Sequence, residues 1–282
     1  MIIAVDAGNN EVKVCGPNGL MKFCSAIGAY RTRNINEQHG EDDMVWEYDG
    51  EMGTAGTLAI IENEFGSGMM LGGSKNHFWA KMRILLAIHK YTDEKEIYLA
   101  VANPISAHSV EDTQDIQADL TKEHAITVNG VLKTFEIKKV VVMAEGSIAY
   151  FSQPVQEKVR IIDIGSGTVN CATILNKKVV DKDSFTLDYG MKTSKDGEAD
   201  PATIANAIIM DTSKKWKRTD RILVAGGAAE LIVHHLQKHY VNTQLMKPQL
   251  RVDKGLQMAK PIYANVIGMY NLLSQALQKV RP

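Results

Sequence analysis

The sequence predicts a two-lobed α/β protein built by duplication, and three stretches carry that prediction. The chain opens Met1-Ile2-Ile3-Ala4-Val5-Asp6-Ala7-Gly8-Asn9-Asn10-Glu11-Val12-Lys13-Val14. This is a β-rich run closed by an aspartate, a polar glycine turn and a return strand. The pattern recurs at Arg160-Ile161-Ile162-Asp163-Ile164-Gly165-Ser166-Gly167-Thr168-Val169-Asn170-Cys171-Ala172-Thr173, where two β-branched runs flank a tight turn. A third glycine element, Ile222-Leu223-Val224-Ala225-Gly226-Gly227-Ala228-Ala229-Glu230-Leu231, reads as a buried strand, a turn and a helix start.

The residue types in these turns point to anion chemistry. Glycines let the backbone turn sharply and leave its N–H groups free to face an anion. Gly8, Asn9 and Asn10 in the first turn, and Gly165, Ser166, Gly167 and Thr168 in the second, are the candidate phosphate donors. Lys13 reaches the same place as a point charge, or else is a solvent-facing strand residue. An aspartate beside such a nest repels phosphate, so Asp6 and Asp163 make sense if a hydrated Mg²⁺ stands between carboxylate and phosphate. A carboxylate ending an apolar strand is costly unless it is paired or metal-bound. At Gly226, Gly227 and Ala228 the missing or small side chains allow close approach of a nucleoside. Two such hairpins in separate halves suggest lobes that grip a polyphosphate between them.

Composition bounds the rest. With 282 residues the chain suits two lobes and a large core, and 45% hydrophobic with 23% charged residues is ordinary for a soluble globule. A net charge of −1 argues against broad capture of nucleic acid or anionic membrane. Cys15, Cys24 and Cys171 are widely spaced and read as core thiols of a reducing cytosol. No signal peptide or apolar span is evident, which implies a cytoplasmic protein without a membrane partner.

In chain order, strands are expected at Ile2–Asp6, Glu11–Gly16 and Leu20–Ser25, and a short hairpin at 45–53. A helix follows over Asn76–Tyr91 with Phe78, Met82, Leu85, Leu86 and His89 on one stripe. Glu96–Ala102 reads as a buried strand and Ser109–His124 as a helix with His124 as a dipole-favoured cap. Ala125–Val128 and Leu132–Ile137 flank an Asn-Gly turn, and Val140–Met143 runs into Glu145, which opens a helix. Lys177–Asp181 and Phe185–Tyr189 extend the second sheet, followed by a polar loop at 190–199. Asp200 caps a helix Ala202–Trp216, closed by Lys214, Lys215, Lys217 and Arg218. Leu231–Tyr240 continues the third glycine element as a helix. His234, His235 and His239 lie on it without the further ligands a metal site needs. Leu250–Val252 is a last strand, and the helix Ile262–Val280 packs its apolar face onto the first lobe.

The three glycine elements, in order, resemble the phosphate 1, phosphate 2 and adenosine motifs of the actin/Hsp70/sugar-kinase superfamily. Val140–Tyr150 resembles the connect 1 segment. Pro261–Tyr270 is similar to connect 2, above all in the Ala-Asn-x-x-Gly-Met-Tyr wording of plasmid-segregating actins. The resemblance covers essentially the whole chain. It implies an actin-like (duplicated ribonuclease H-like) ATPase fold with the nucleotide in the interlobe cleft. Domain I would be residues 1–142 with 263–282, carrying a small lid-like insertion at about 30–73, and domain II residues 143–262. Only roughly 55 residues separate Thr168 from Ala225, too few for an inserted subdomain. Subdomain IIB is therefore expected to be absent, as in the shortened AlfA type of segregation actin rather than the longer ParM/StbA type.

The resemblance further implies a Mg²⁺-dependent ATPase that polymerises with ATP or ADP bound. It would move plasmid DNA through a DNA-binding adaptor at a centromere-like site, without sequence-specific DNA contact of its own. Glu145 resembles the residue that polarises the attacking water, or else is a helix N-terminal carboxylate stabilised by the dipole. Two alternatives of the same fold stand beside this reading. A sugar- or pantothenate-type kinase needs a catalytic aspartate between Pro104 and Val128, where Asp112, Asp115 and Asp119 have solvent-like helical spacing. A non-hydrolysing ATP-binding scaffold would not need Glu145.

Overall fold

Two strands buried along nearly their whole length, β1 (Ile2–Ala7) near the start and β10 (Val159–Ile164) past the middle, each seed a sheet. A computed structural model describes residues 1–63, 74–194, 197–252 and 255–279. Val280, part of the 30–73 segment and two residues of the polar loop at 190–199 lie outside these. The chain divides into two compact units, Met1–Val101 with Val110–Val142, and Ala102–Ser109 with Met143–Pro282.

In the first unit, β1, β2 (Glu11–Gly16) and β3 (Gly19–Cys24) form an antiparallel meander, and β7 (Glu96–Asn103) adds parallel to β1 with Ile3 beside Leu99. The sheet runs on through β9 (Val131–Ala144), β8 (Glu123–Val128), β5 (Met44–Tyr48), β6 (Glu51–Ala55) and β4 (Ile27–Ala29). The hairpin read at 45–53 is thus part of the main sheet. Asp49 and Gly50 at its tip, and Asn129 and Gly130 between β8 and β9, all have positive φ. That is the turn whose twist matches paired strands. Helices α1 (Thr57–Glu62), α2 (Phe78–Tyr91) and α3 (Val110–Leu120) complete the unit. Met82, Leu85, Leu86 and His89 of α2 are buried as the stripe requires, but Phe78, in its first turn, is exposed.

Several boundaries differ from expectation. His124 caps no helix: α3 stops at Leu120, and His124 sits buried in β8. Its Nδ1 meets the Tyr48 hydroxyl at 3.0 Å and its Nε2 meets the Leu120 carbonyl at 2.9 Å. Burial pushes its pKa down and keeps the ring neutral, so the alternating His-Ala-Ile-Thr-Val run is strand. β9 is one strand where two were expected, and Lys138, between the two expected runs, is an outward residue paired with Glu136 and Glu96.

The second unit repeats the plan. β10, β11 (Val169–Leu175) and the short β12 (Lys178–Val179) are antiparallel, and β13 (Phe185–Leu187) also pairs with β11. After α4 (Pro201–Thr212), β14 (Arg221–Gly226) adds parallel to β10; after α5 (Ala229–Gln237), β15 (Asn242–Leu245) adds parallel to β14. Alternation along the strands gives the sheet two dry faces. Ile162, Ile164 and Val224 pack with Ile204, Ile208, Ile232 and Leu236 of α4 and α5. Ile161, Leu223 and Ala225 pack with Ala149, Tyr150 and Ala264. A small hairpin, β16 (Gln249–Val252) and β17 (Gly255–Met258), precedes α6 (Ala264–Gln278); its second strand was not expected.

Asp200 caps α4 by accepting the Thr203 N–H, but the helix ends at Thr212, not Trp216. Trp216 turns into the core beside Phe185 and Tyr240, so the basic run 214–218 lies past the helix end. Lys177–Asp181 yields only β12 before a 3-10 turn at Asp181–Asp183. Glu145 opens no α-helix; a turn with Gly146 at φ 69° leads into a 3-10 helix, Ile148–Ser152. α6 packs on that 3-10 helix within the second unit. The three cysteines are free thiols, with Cys15 and Cys171 buried. Among the described residues no cluster of potential metal ligands occurs, and no helix is long and apolar enough to cross a membrane.

The packing of α6 depends on a missing side chain. A Cβ on Gly268 would lie 2.0 Å from the Ile148 carbonyl oxygen, a backbone atom that cannot swing aside. Gly268→Ala is therefore expected to lower the unfolding free energy by about 2–3 kcal/mol, measured by urea denaturation, despite its gain in helix propensity.

Candidate functional site

In the first unit the predicted residues converge on the end of β1. Asp6 is 7% exposed, and its carboxylate takes one ammonium on each oxygen. Lys13 Nζ lies 3.4 Å from Oδ2, and Lys75 Nζ lies 3.0 Å from Oδ1. Burial alone would raise the Asp6 pKa, but Lys75 and then Lys13 overcome it and hold the carboxyl well below its usual range. Lys13 is only 12% exposed and also donates to the Glu11 carbonyl at 3.3 Å, which excludes the solvent-facing alternative. Gly8 is required where it stands, because a Cβ there would meet the Glu11 carbonyl oxygen at 2.7 Å.

A third cation supports the turn from behind. Arg83, on α2, is buried; its Nε donates to the Ser25 carbonyl at 2.9 Å and its Nη1 to Asn9 Oδ1 at 3.3 Å. No carboxylate among the described residues forms an ion pair with it. The Ser25 N–H in turn reaches the Asn10 carbonyl at 3.2 Å. Gly8, Asn9 and Asn10 are thus held beside three cations and one carboxylate.

In the second unit, Asp163 is 8% exposed at the end of β10. Its Oδ2 accepts from Asn265 Nδ2 at 2.7 Å, and Asn265 Oδ1 accepts the Gly146 N–H at 3.1 Å. The neighbouring Glu145 is 7% exposed. Its Oε2 accepts from Asn170 Nδ2 at 3.1 Å, and its N–H donates to the Asn103 carbonyl at 2.9 Å. Asn170 sits opposite Asp163 across the β10–β11 ladder. Glu145 and Asp163 therefore belong to one polar network.

The Gly165–Thr168 turn is closed by the Gly165 N–H on the Thr168 carbonyl, at 2.9 Å. The carbonyls of Gly165 and Ser166 accept the N–H groups of Met191 and Lys192. Gly190 permits this contact, since a Cβ there would lie 2.7 Å from both carbonyl oxygens. The N–H groups of Ser166 and Gly167 take no part in these bonds. Gly226, at φ 92°, has room for no side chain beside Ile164, 2.3 Å from where its Cβ would stand. That contact brings Gly226, Gly227 and Ala228 to the same end of the sheet as the Gly165 turn, where parallel strands present ligands.

Each turn offers donors that suit phosphate, beside a carboxylate that suits a hydrated magnesium ion. Three cations to one carboxylate at the first turn suit a multiply charged anion. The hard carboxylate oxygens, with no cluster of three potential ligands among the described residues, suit an ion that keeps most of its waters and binds through substrate phosphates rather than in a protein cage.

A duplicated β-meander with an aspartate-ended hairpin in each unit defines the actin class of folds. The family model for the N-terminal domain of actin-like proteins matches residues 4–147, just over half of the chain, and the chain belongs to this family. Among solved structures it is similar to an AlfA filament bound to AMPPNP, with TM-score 0.79, 21% identity, and coverage of 100% of this chain and 99% of that one. AlfA from B. subtilis plasmid pLS32 in its filament gives TM-score 0.78 at 21% identity, covering 96% and 98%. The apo psk41 ParM protein gives 0.73 at 18%, covering 100% and 99%. No curated protein matches the sequence. The structural likenesses establish the fold.

Sequence reasoning missed Lys75, Arg83, Asn170 and Asn265 as members of the site. Arg83 had a signal, a cation within the apolar stripe of α2. Lys75 matters most to the balance of charge around Asp6. Lys75→Met is expected to destabilise the protein by about 2 kcal/mol, because it removes a charge-assisted hydrogen bond to a buried carboxylate. Lys22→Met, at an exposed pair with Glu11, should cost under about 1 kcal/mol in the same denaturation measurement.

Proposed function

We propose that this chain is an ATP-dependent, filament-forming actin-like protein that segregates plasmid DNA through an adaptor. The observation that carries the reading is the recurrence of one device, a buried aspartate followed by a glycine turn, in both units of an actin-like fold. The full-length likeness to an AlfA filament bound to AMPPNP supports it.

In this reading the N–H groups of Gly8, Asn9 and Asn10, with Lys13, bind phosphate in the first unit. Those of Gly165, Ser166, Gly167 and Thr168 bind phosphate in the second. Asp6 in the first unit and Asp163 in the second are the carboxylates suited to a hydrated Mg²⁺, which when bound would supply charge neutralisation on the phosphates. Gly226, Gly227 and Ala228 give the nucleoside close approach to backbone. Glu145, fixed by Asn170 and by its own N–H on Asn103, orients the attacking water. It is a positioned hydrogen-bond acceptor rather than a base strong enough to ionise water outright.

Assembly follows from differential contacts: nucleotide state shifts the subunit between forms that differ in affinity for the next subunit. With a net charge of −1, DNA attachment falls to an adaptor that supplies the basic surface.

Pelleting and light scattering with Mg-ATP test the proposal. Wild type should scatter and sediment. Asp163→Ala should lose nucleotide and assembly together. Glu145→Ala should still assemble but hydrolyse about 100-fold more slowly. Nucleotide binding without scattering would point to a scaffold, and transfer of phosphate to a small acceptor would point to a kinase. Equal turnover in Glu145→Ala and wild type would remove that residue from the mechanism.

A further inference from the structure

Asn265 stands near the start of α6, 7% exposed, and both ends of its amide are engaged inside the second unit. The direction of each bond is forced by chemistry. A carboxylate only accepts, so the atom facing Asp163 is the amide nitrogen; a backbone N–H only donates, so the atom facing Gly146 is the amide oxygen. One side chain thus reaches two groups with separate tasks: Asp163, read above as the Mg²⁺ carboxylate, and the turn that presents Glu145.

We propose that Asn265 is a positioning residue that couples nucleotide capture to hydrolysis. It sets the orientation of the Asp163 carboxylate with its nitrogen and pins the Glu145 turn with its oxygen. The inference rests on the roles given above to Asp163 and Glu145.

The turn has few ways to relax without it. Gly146 is left-handed at φ 69°, and a Cβ there would lie 2.8 Å from Asn170 Cβ. The backbone around Glu145 is held at three points. Its own N–H goes to the Asn103 carbonyl, the Ser147 N–H returns to the Glu145 carbonyl at 2.7 Å, and the Gly146 N–H goes to Asn265. The Asn265 bond is the one of the three that comes from α6. No shorter or singly functional side chain reproduces it: serine does not span both groups, and aspartate keeps the acceptor but has no donor for Asp163.

Two measurements separate the two tasks. Equilibrium binding of a fluorescent non-hydrolysable ATP analogue with Mg²⁺ reads the Asp163 side, and single-turnover hydrolysis at saturating ATP reads the Glu145 side. Asn265→Ala should lower affinity about 10-fold and saturated turnover about 10-fold. Asn265→Asp should retain turnover within about threefold of wild type while its affinity falls at least as far as in the alanine variant. In double variants, Asn265→Ala should add less than about twofold to the affinity loss of Asp163→Asn, and less than about twofold to the hydrolysis loss of Glu145→Gln.

Full additivity in both cycles, or wild-type kinetics in Asn265→Ala at a lowered melting temperature, overturns the coupling and leaves Asp163 and Glu145 in their roles. Should the alanine variant fail to fold, the aspartate variant carries the test, and equal loss of affinity and turnover in it overturns the proposal. A wild type that neither binds nor hydrolyses ATP instead refutes the reading of the site itself, and with it this inference.

Discussion

Each unit is arranged around a carboxylate placed where water does not reach it freely, at the end of a strand buried along nearly its whole length. Leaving such a group ionised without partners costs several kcal/mol, so the surrounding chain must supply them. The two units do so differently. Asp6 has two ammonium groups, whereas Asp163 accepts from a neutral amide on the last helix. The first arrangement compensates charge by charge and leaves a cationic turn; the second includes the dipole of a neutral amide. A duplicated framework thereby supports its two carboxylates with unlike partners.

The strands that carry these carboxylates explain why the turns can be so tight. β10 is dry on both faces, with Ile162 and Ile164 against α4 and α5 and Ile161 against the 3-10 helix and the start of α6. Its end has little freedom, so the Gly165–Thr168 turn is anchored on one side by the β10–β11 ladder and on the other by the loop carrying Met191 and Lys192. β14 then approaches closely enough that Gly226 alone fits beside Ile164. Three glycine-bearing segments are brought together here by backbone contact, with little left to side-chain adjustment.

How much of this was legible in the sequence follows the range of each interaction. The strands and glycine turns were readable because β-branched periodicity and positive-φ requirements are local, as at Asn129-Gly130 and Asp49-Gly50. The partners of Asp6 and Asp163 were not, because Lys75 and Asn265 lie 69 and 102 residues away and only the fold brings them near. Helix ends failed for the same reason. Ser213 to Lys215 would continue α4 on propensity alone, but the burial of Trp216 against Phe185 and Tyr240 turns the chain away. His124 reads as a cap in a polar stretch, yet the pocket formed by Tyr48 and the Leu120 carbonyl makes it a neutral core residue.

The meeting of Gly268 with Ile148 has a mechanical consequence. Where two elements touch through side chains, a small displacement of one is absorbed by rotamer changes in the other. Here main chain rests on main chain, and the interface behaves as a rigid bearing. Any sliding or tilting of α6 is delivered undamped to the segment three residues beyond Glu145. Forces applied to the outer face of that helix would be felt at the Glu145 turn as motion, before any bond to it has broken.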